Sequence, residues 1–135
     1  PSSDDHQTVA KRAVTLSNGA VGDSMARHLV DRYGVCGVEI AATLNSESAA
    51  PIIKGRLEPW GLISWAIKRE LATTVCDFMI RRTQIFFKDY DQGLGVVDKV
   101  AEHMGELLGW SRERIAHEVE TYRAEVAMTR EWRDE

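Results

Sequence analysis

Residues Trp65–Phe87 read WAIKRELATTVCDFMIRRTQIFF, and this stretch decides the architecture. Ile63, Ile67 and Leu71 stand at i, i+4 and i+8, a spacing that puts all three on one face of a helix. Ala72-Thr73-Thr74 interrupts that helix. Thr74, with Asp77 three residues on, reads as a capping box: the hydroxyl takes a free amide of the new first turn and the carboxylate reaches back. Val75, Phe78, Met79 and Arg82 carry a second stripe. The stretch therefore predicts two helices meeting at a bend, both apolar faces turned inward, as the organising element of a small helical domain.

Around it lies a chain of 135 residues, within the size of one domain. At 44% hydrophobic and 28% charged residues it has the composition of a folded globular protein. A formal net charge of -4 gives no general attraction to nucleic acid or to an anionic membrane. No apolar run approaches the roughly 20 residues that span a bilayer, and the start shows no charged-then-apolar signal segment. The first residue is not Met, so the sequence is expected to be a piece of a longer chain. Cys36 and Cys76 lie far apart, and a domain of this size needs no disulfide. Cys76, among apolar neighbours, reads as a small buried or half-buried thiol.

Taken in order, residues 1–22 begin polar and end in Ser17-Asn18-Gly19, and read as a lead-in linker, with Val9, Ala10, Ala13 and Val14 able to support a short helix. Residues 23–135 read as the helical domain. Asp23 or Ser24 caps a helix to about Tyr33, with Met25, Leu29 and Tyr33 on one face and Gly34 as its stop. A short helix follows over about Val35 to Leu44. Residues 45–59 form an irregular connection pinned by Ile52 and Ile53. After the central pair, Asp89–Gly95 is a turn. Val97, Val100, Ala101, Met104, Leu107 and Leu108 then spell out a helix stripe in full. Gly109 ends that helix, Trp110 folds back on its last turn, and Ser111 caps a final helix striped by Ile115, Val119, Tyr122 and Val126. No segment alternates as a strand. The expected fold is an all-α, single compact domain of about five or six helices in short helical hairpins.

The chemistry-bearing residues are sparse. His6, His28, His103 and His117 fall on separate elements without metal-ligand spacing, and His103 sits on an exposed helix flank. In Asp89-Tyr90-Asp91-Gln92-Gly93 the glycine comes too early for a calcium loop and no Glu closes it, so it reads as a plain turn. No glycine-rich phosphate turn follows a strand. Lys68, Arg69, Arg81 and Arg82 form the one local basic cluster. Arg suits bidentate anion contact or docking. The alternative, preferred here, is internal pairing of Arg81 or Arg82 with Glu70 or Asp77; Arg81 lies one turn after Asp77.

Trp65-Ala66-Ile67-Lys68, Glu70, Ala72, Thr74-Val75, Asp77 and Arg81-Arg82-Thr83 together resemble the C-terminal region of FAD-dependent sn-glycerol-3-phosphate dehydrogenases. The resemblance continues through Val100-Ala101-Glu102-His103-Met104-Gly105-Glu106-Leu107-Leu108-Gly109-Trp110, and upstream through Asp31-Arg32-Tyr33-Gly34. It spans about Met25 to Tyr122, most of the chain. Two departures stand out: members usually carry an acidic residue where this chain has Leu62, and the loop Leu57-Glu58-Pro59-Trp60-Gly61 differs, which would alter a docking edge.

The resemblance implies that this chain is the helical C-terminal cap of a larger oxidoreductase. The parent would oxidise glycerol-3-phosphate to dihydroxyacetone phosphate at FAD and pass electrons to a quinone at the membrane. FAD and substrate would belong to an N-terminal domain of the same chain, the cap's partner. The cap itself would carry no catalytic, cofactor-binding or metal residue and would be inactive alone. Lys68, Arg81 and Arg82 would be its anion or inter-domain contacts, and Glu70, Thr74, Asp77 and Trp110 its structural motif residues. A cytoplasmic location, the parent at the inner face of the membrane, and homo-oligomer formation complete the expectation. A different class of reading is a stand-alone helical interaction module that uses Arg81-Arg82 or the Trp60-Gly61-Leu62 edge.

Overall fold

The computed structural model describes residues 3–134, with side chains from 7 to 133. Among the described residues the α-helices are α1 (Ser3–Leu16), α2 (Asp23–Tyr33), α3 (Cys36–Ala42), α4 (Gly61–Glu70), α5 (Ile85–Lys88), α6 (Val97–Leu108) and α7 (Arg112–Asp134). A π-helical segment, Asp77–Arg82, lies between α4 and α5. The all-α expectation holds, with more and shorter elements than the five or six predicted. Among the described residues the extended pairing is a single isolated bridge, Pro51 with Pro59. No helix among the described residues is long and apolar enough to cross a membrane. The packing resolves into two compact units, one reaching to Trp65 and the other starting at Ala66.

In the first unit α1, α2 and α3 pack against one another. Small residues allow this: Ala10 and Ala13 of α1, Ala26 of α2 and Ala41 of α3 are buried beside Leu29, Val30 and Ile40. Full burial of Leu29 and of Ile40 contributes about 1.5–3 kcal/mol each. Gly37 marks a close backbone crossing, because a Cβ there would lie 2.5 Å from the Leu29 carbonyl oxygen. Residues 1–22 were read as a lead-in linker able to support a short helix over Val9, Ala10, Ala13 and Val14; that helix is α1, longer than expected and packed into the unit. The Ala10-Ala13 face was visible in the sequence as helix-compatible; its burial against α2 and α3 was not. Pro1 and Ser2, at the head of that predicted lead-in, lie outside the described residues.

The 45–60 connection is ordered by its own backbone. The Ile52 N–H donates to the Glu58 carbonyl and the Trp60 N–H to the Ala50 carbonyl. The Glu58 carboxylate, 1% exposed, accepts both Arg56 Nε and an Arg56 terminal nitrogen at 2.9 Å. Ile52 is buried as predicted, while Ile53 is half-buried.

In the second unit α6 and α7 form a hairpin over Val97, Val100, Ala101, Met104, Val119, Tyr122 and Val126, all buried. The turn between them is as predicted. Gly109 takes φ 72° and ψ 33°, and the Gly109 and Trp110 N–H groups both reach the Gly105 carbonyl. Ser111 Oγ then accepts the Arg114 N–H at 3.1 Å and caps α7. His103 is half-buried on α6 rather than exposed.

The central bend forms, but Leu71 is misplaced by the i, i+4, i+8 reading. Helix α4 ends at Glu70, and Leu71 takes φ 55° with 77% of its surface exposed. Ala72 is buried in its stead, its N–H reaching back to the Ala66 carbonyl at 3.0 Å. A left-handed leucine costs about 1–2 kcal/mol against ordinary helical backbone, and its exposed side chain recovers nothing within the unit.

Candidate functional site

Of the residues singled out by sequence, Glu70, Thr74, Asp77, Arg81 and Arg82 meet at the break between α4 and the π-helical segment, whereas Trp110 stands after α6. Thr74 Oγ1 accepts the Asp77 N–H at 3.0 Å, one half of the predicted capping box. The Asp77 carboxylate faces the arginines: 3.4 Å from Arg82 Nε and 3.7 Å from an Arg81 nitrogen. The π register explains the first contact. In an α-helix, residues five apart point about 140° away from each other, whereas i→i+5 bonding brings them together.

Arg82 is the centre of the break. Besides Asp77 it donates to the Glu70 carboxylate and to the Glu70 backbone carbonyl, both at 3.2 Å. That carbonyl is a helix-end acceptor that α4 leaves over. Thr83 completes the Arg-Arg-Thr motif: its buried hydroxyl donates to the Met79 carbonyl and accepts the Ile85 N–H, joining the π segment to α5. Internal pairing of the cluster, the preferred sequence reading, is what the geometry shows for Arg82. Arg81, 78% exposed, and Lys68, exposed at the end of α4, remain turned to solvent.

A second tether comes from α7. Glu118, nearly buried, accepts the Val75 N–H at 2.9 Å and Arg114 Nε at 3.0 Å. The Arg114 guanidinium lies 4.8 Å over the Trp110 ring, a cation–π contact. Trp110 thus does more than close α6. Beyond Glu118, the buried Tyr122 hydroxyl donates to the Gln92 carbonyl, and its ring meets Phe86 edge-on at 6.0 Å. Gln92 also accepts Arg130 Nε at 2.9 Å, so the Asp89–Gly95 turn is fixed from α7. The tethering roles of Glu118, Gln92 and Tyr122 were not visible in the sequence. Only the burial expected for Tyr122 was legible, because the partners lie 30 to 43 residues away.

Burial, with Glu125 and Glu118 nearby, pushes the Cys76 thiol up, so it stays protonated and is a poor nucleophile. Burial likewise pushes the Tyr122 phenol up. Cys36 and Cys76 are both free. In the first unit, burial lowers the His28 pKa against the opposing pull of Glu58. The His6 side chain lies outside the described residues, and among those described no group of three His, Cys, Asp or Glu is placed to hold a metal ion.

Along α6 and α7 runs a groove of about 580 Å³ with a floor of Gly105, Ile115, Ala116 and Val119. Asp98, Glu102, Glu106 and Glu120 stand on its walls against Arg112 and Arg123. Arg123 is already paired with Glu120 at 2.8 Å and Asp98 at 3.4 Å. Glu102 and Glu106, one turn apart on α6, have no ion-pair partner among the described residues. Like charges at that spacing cost about 0.2–0.5 kcal/mol. A pyrophosphate would be repelled by this rim, and the described residues contain no strand-led glycine turn to cradle one. This groove does not fit FAD.

The comparisons with known proteins agree with the motif placement. A family model described as the C-terminal domain of alpha-glycerophosphate oxidase matches residues 4–115. The chain is 29% identical over 105 residues to a probable mitochondrial glycerol-3-phosphate dehydrogenase of Dictyostelium discoideum, covering 77% of this chain and 16% of that protein. It is 30% identical over 104 residues to a glycerol-3-phosphate dehydrogenase of Mycobacterium leprae (strain TN), covering 74% and 17%. With an alpha-glycerophosphate oxidase of Streptococcus pneumoniae serotype 4 it shares 27% identity over 126 residues, covering 93% and 20%. The matched region is thus a fifth or less of each relative's length. The family match begins within α1, crosses the Arg82 clamp and ends in the first turn of α7. This chain belongs to the family of the C-terminal domain of alpha-glycerophosphate oxidase.

Proposed function

We propose that this chain is the C-terminal helical domain of an FAD-dependent enzyme that oxidises sn-glycerol-3-phosphate to dihydroxyacetone phosphate, with electrons passed on to a quinone at the inner face of the cytoplasmic membrane. The family match over residues 4–115 carries this reading. The names of the three relatives, two dehydrogenases and one oxidase, support the substrate. Flavin and substrate sit in the N-terminal domain of the parent, which is this domain's partner. The domain itself has a structural and assembly role: Arg82, Glu70, Asp77 and Thr83 rigidify the bend on which it is built.

The test is a pair of measurements. The full-length parent is assayed with glycerol-3-phosphate and either an artificial acceptor or a quinone analogue, and the purified 135-residue chain is examined for flavin absorbance. Substrate-dependent reduction by the parent and a colourless chain are expected. A flavin-bound parent that ignores glycerol-3-phosphate would sink the substrate assignment, and stoichiometric flavin in the chain alone would sink the division of labour.

A further inference from the structure

Two surfaces of the second unit are each left incomplete, and they complement one another. The first is the turn after α4. Leu71 is held at positive φ and 77% exposed, and Arg82 fixes the carbonyl just before it. Glycine is the usual residue for such a helix exit, so internal packing does not account for a leucine here. Lys68, three residues earlier in the last turn of α4, and Arg81, next to the Arg82 that holds Glu70, are both exposed, with Arg81 only loosely paired to Asp77 at 3.7 Å. The result is an exposed apolar knob with two exposed cations on the adjoining segments.

The second surface is the α6–α7 groove. Its floor is apolar, made by Gly105, Ile115, Ala116 and Val119, and its volume of about 580 Å³ accommodates a leucine side chain with its flanking backbone. Glu102 and Glu106 stand on its α6 wall without cationic partners among the described residues. This is an apolar slot whose collar carries acid in excess: Asp98, Glu102, Glu106 and Glu120 against Arg112 and Arg123, with Arg123 already taken up by Asp98 and Glu120.

We propose that the chain self-associates by seating the Leu71 turn of one copy, with Lys68 and Arg81, in the Glu102–Glu106 side of the α6–α7 groove of a second copy. Contact would bury the exposed leucine, remove the solvent that screens the charges and bring each cationic group against an unpaired carboxylate. The knob and the slot are different patches of the same chain, so two complementary half-defective chains must rescue each other. The contact does not depend on which reaction the parent performs.

The experiment is sedimentation of the 135-residue chain over a wide concentration range, in about 0.1 M and about 1 M salt, where the Debye length falls from about 10 to about 3 Å. The expected result is a mass that rises with concentration at the lower salt and falls back towards the monomer at the higher. Leu71→Gly removes the knob and suits the left-handed backbone, so it does not threaten folding. Glu102→Lys with Glu106→Lys reverses the slot's collar at two exposed positions. Each variant alone should associate at least about tenfold more weakly, a loss of about 1.4 kcal/mol. Mixed, the two variants should form a one-to-one pair and stop there. A monomeric parent chain at all concentrations, undiminished association of either variant, or variants that fail to pair when mixed would each overturn the proposal.

Discussion

Helix α6 leaves its last turn through Gly109 at φ 72°, and α4 leaves through Leu71 at φ 55°. The first exit is made by backbone. Two N–H groups close on one carbonyl, and a Cβ at Gly109 would find nothing within 4 Å. The second exit is made by side chains from elsewhere: Arg82 takes the Glu70 carbonyl and carboxylate, and Glu118 takes the Val75 amide on the far side of the break. A glycine exit is self-sufficient and transferable. A leucine exit exists only because the surrounding fold enforces it, and strain held in place by a fold is a reason to look for function nearby.

The strongest way to break this comparison is to remove the enforcement. Arg82→Ala deletes three donor contacts, two to Glu70 and one to Asp77. It leaves the Glu70 carboxylate, one oxygen of which is already buried without a partner, short of its cation. Charged hydrogen bonds in partly buried settings put the loss at about 2–3 kcal/mol. Arg81→Ala, at a 78% exposed side chain, should cost no more than about 0.5 kcal/mol. Urea titrations of the two variants decide the matter. Equal losses would mean that the clamp is an ornament and that α4 ends as α6 does.

The contrast also explains what could be read from the sequence. The stop of α6 was legible because its signals are adjacent: Gly109, Trp110 and Ser111 all bear on the same turn, although Leu107 of the predicted stripe is 46% exposed and Leu108 only half-buried. The bend after α4 was legible as an interruption and as a Thr74–Asp77 cap, and the pairing of Arg82 with Glu70 and Asp77 was anticipated. Leu71 was not, because hydrophobic periodicity carries no record of where a helix stops when no glycine marks it. The π register was hidden as well. Val75, Phe78 and Met79 are buried in the π register, and their spacing suits one face of an α-helix as well, so the stripe cannot distinguish the two. The Glu118 and Tyr122 tethers were invisible for want of any local pattern linking α7 to residues 75 and 92.

A second, smaller test sharpens the role of α7 in holding the break. Tyr122 is buried and donates to the Gln92 carbonyl, and burial raises its folded-state pKa above the ordinary phenol value near 10. Over that interval the folded chain binds a proton the unfolded chain has released. The contribution is therefore complete below about pH 10 and is lost as pH rises from there towards the folded pKa. Tyr122→Phe should cost about 1 kcal/mol at neutral pH through the lost hydrogen bond, and should flatten the decline above about pH 10. Thermal melts of both proteins across the alkaline range would show it. An unchanged alkaline slope in the variant would place the pH sensitivity elsewhere, the raised Cys76 thiol being the next group in line.

The finest test exchanges the two helix exits. Gly109→Ala forces a Cβ into a left-handed position and should cost about 1 kcal/mol, with no steric contribution because the space around it is open. Leu71→Gly relieves the same conformational penalty but gives the unfolded chain more freedom, so a gain of about 0.5–1 kcal/mol is expected. Opposite signs at two positions of like backbone conformation would show that Leu71 is kept against the interest of the isolated fold. Protein concentration then becomes the sharper variable. Association stabilises the folded chain by mass action. The advantage of Leu71→Gly should hold in dilute solution and shrink or reverse where copies pair through the Leu71 turn. A gain that is the same at every concentration would leave the leucine as strain without an occupant.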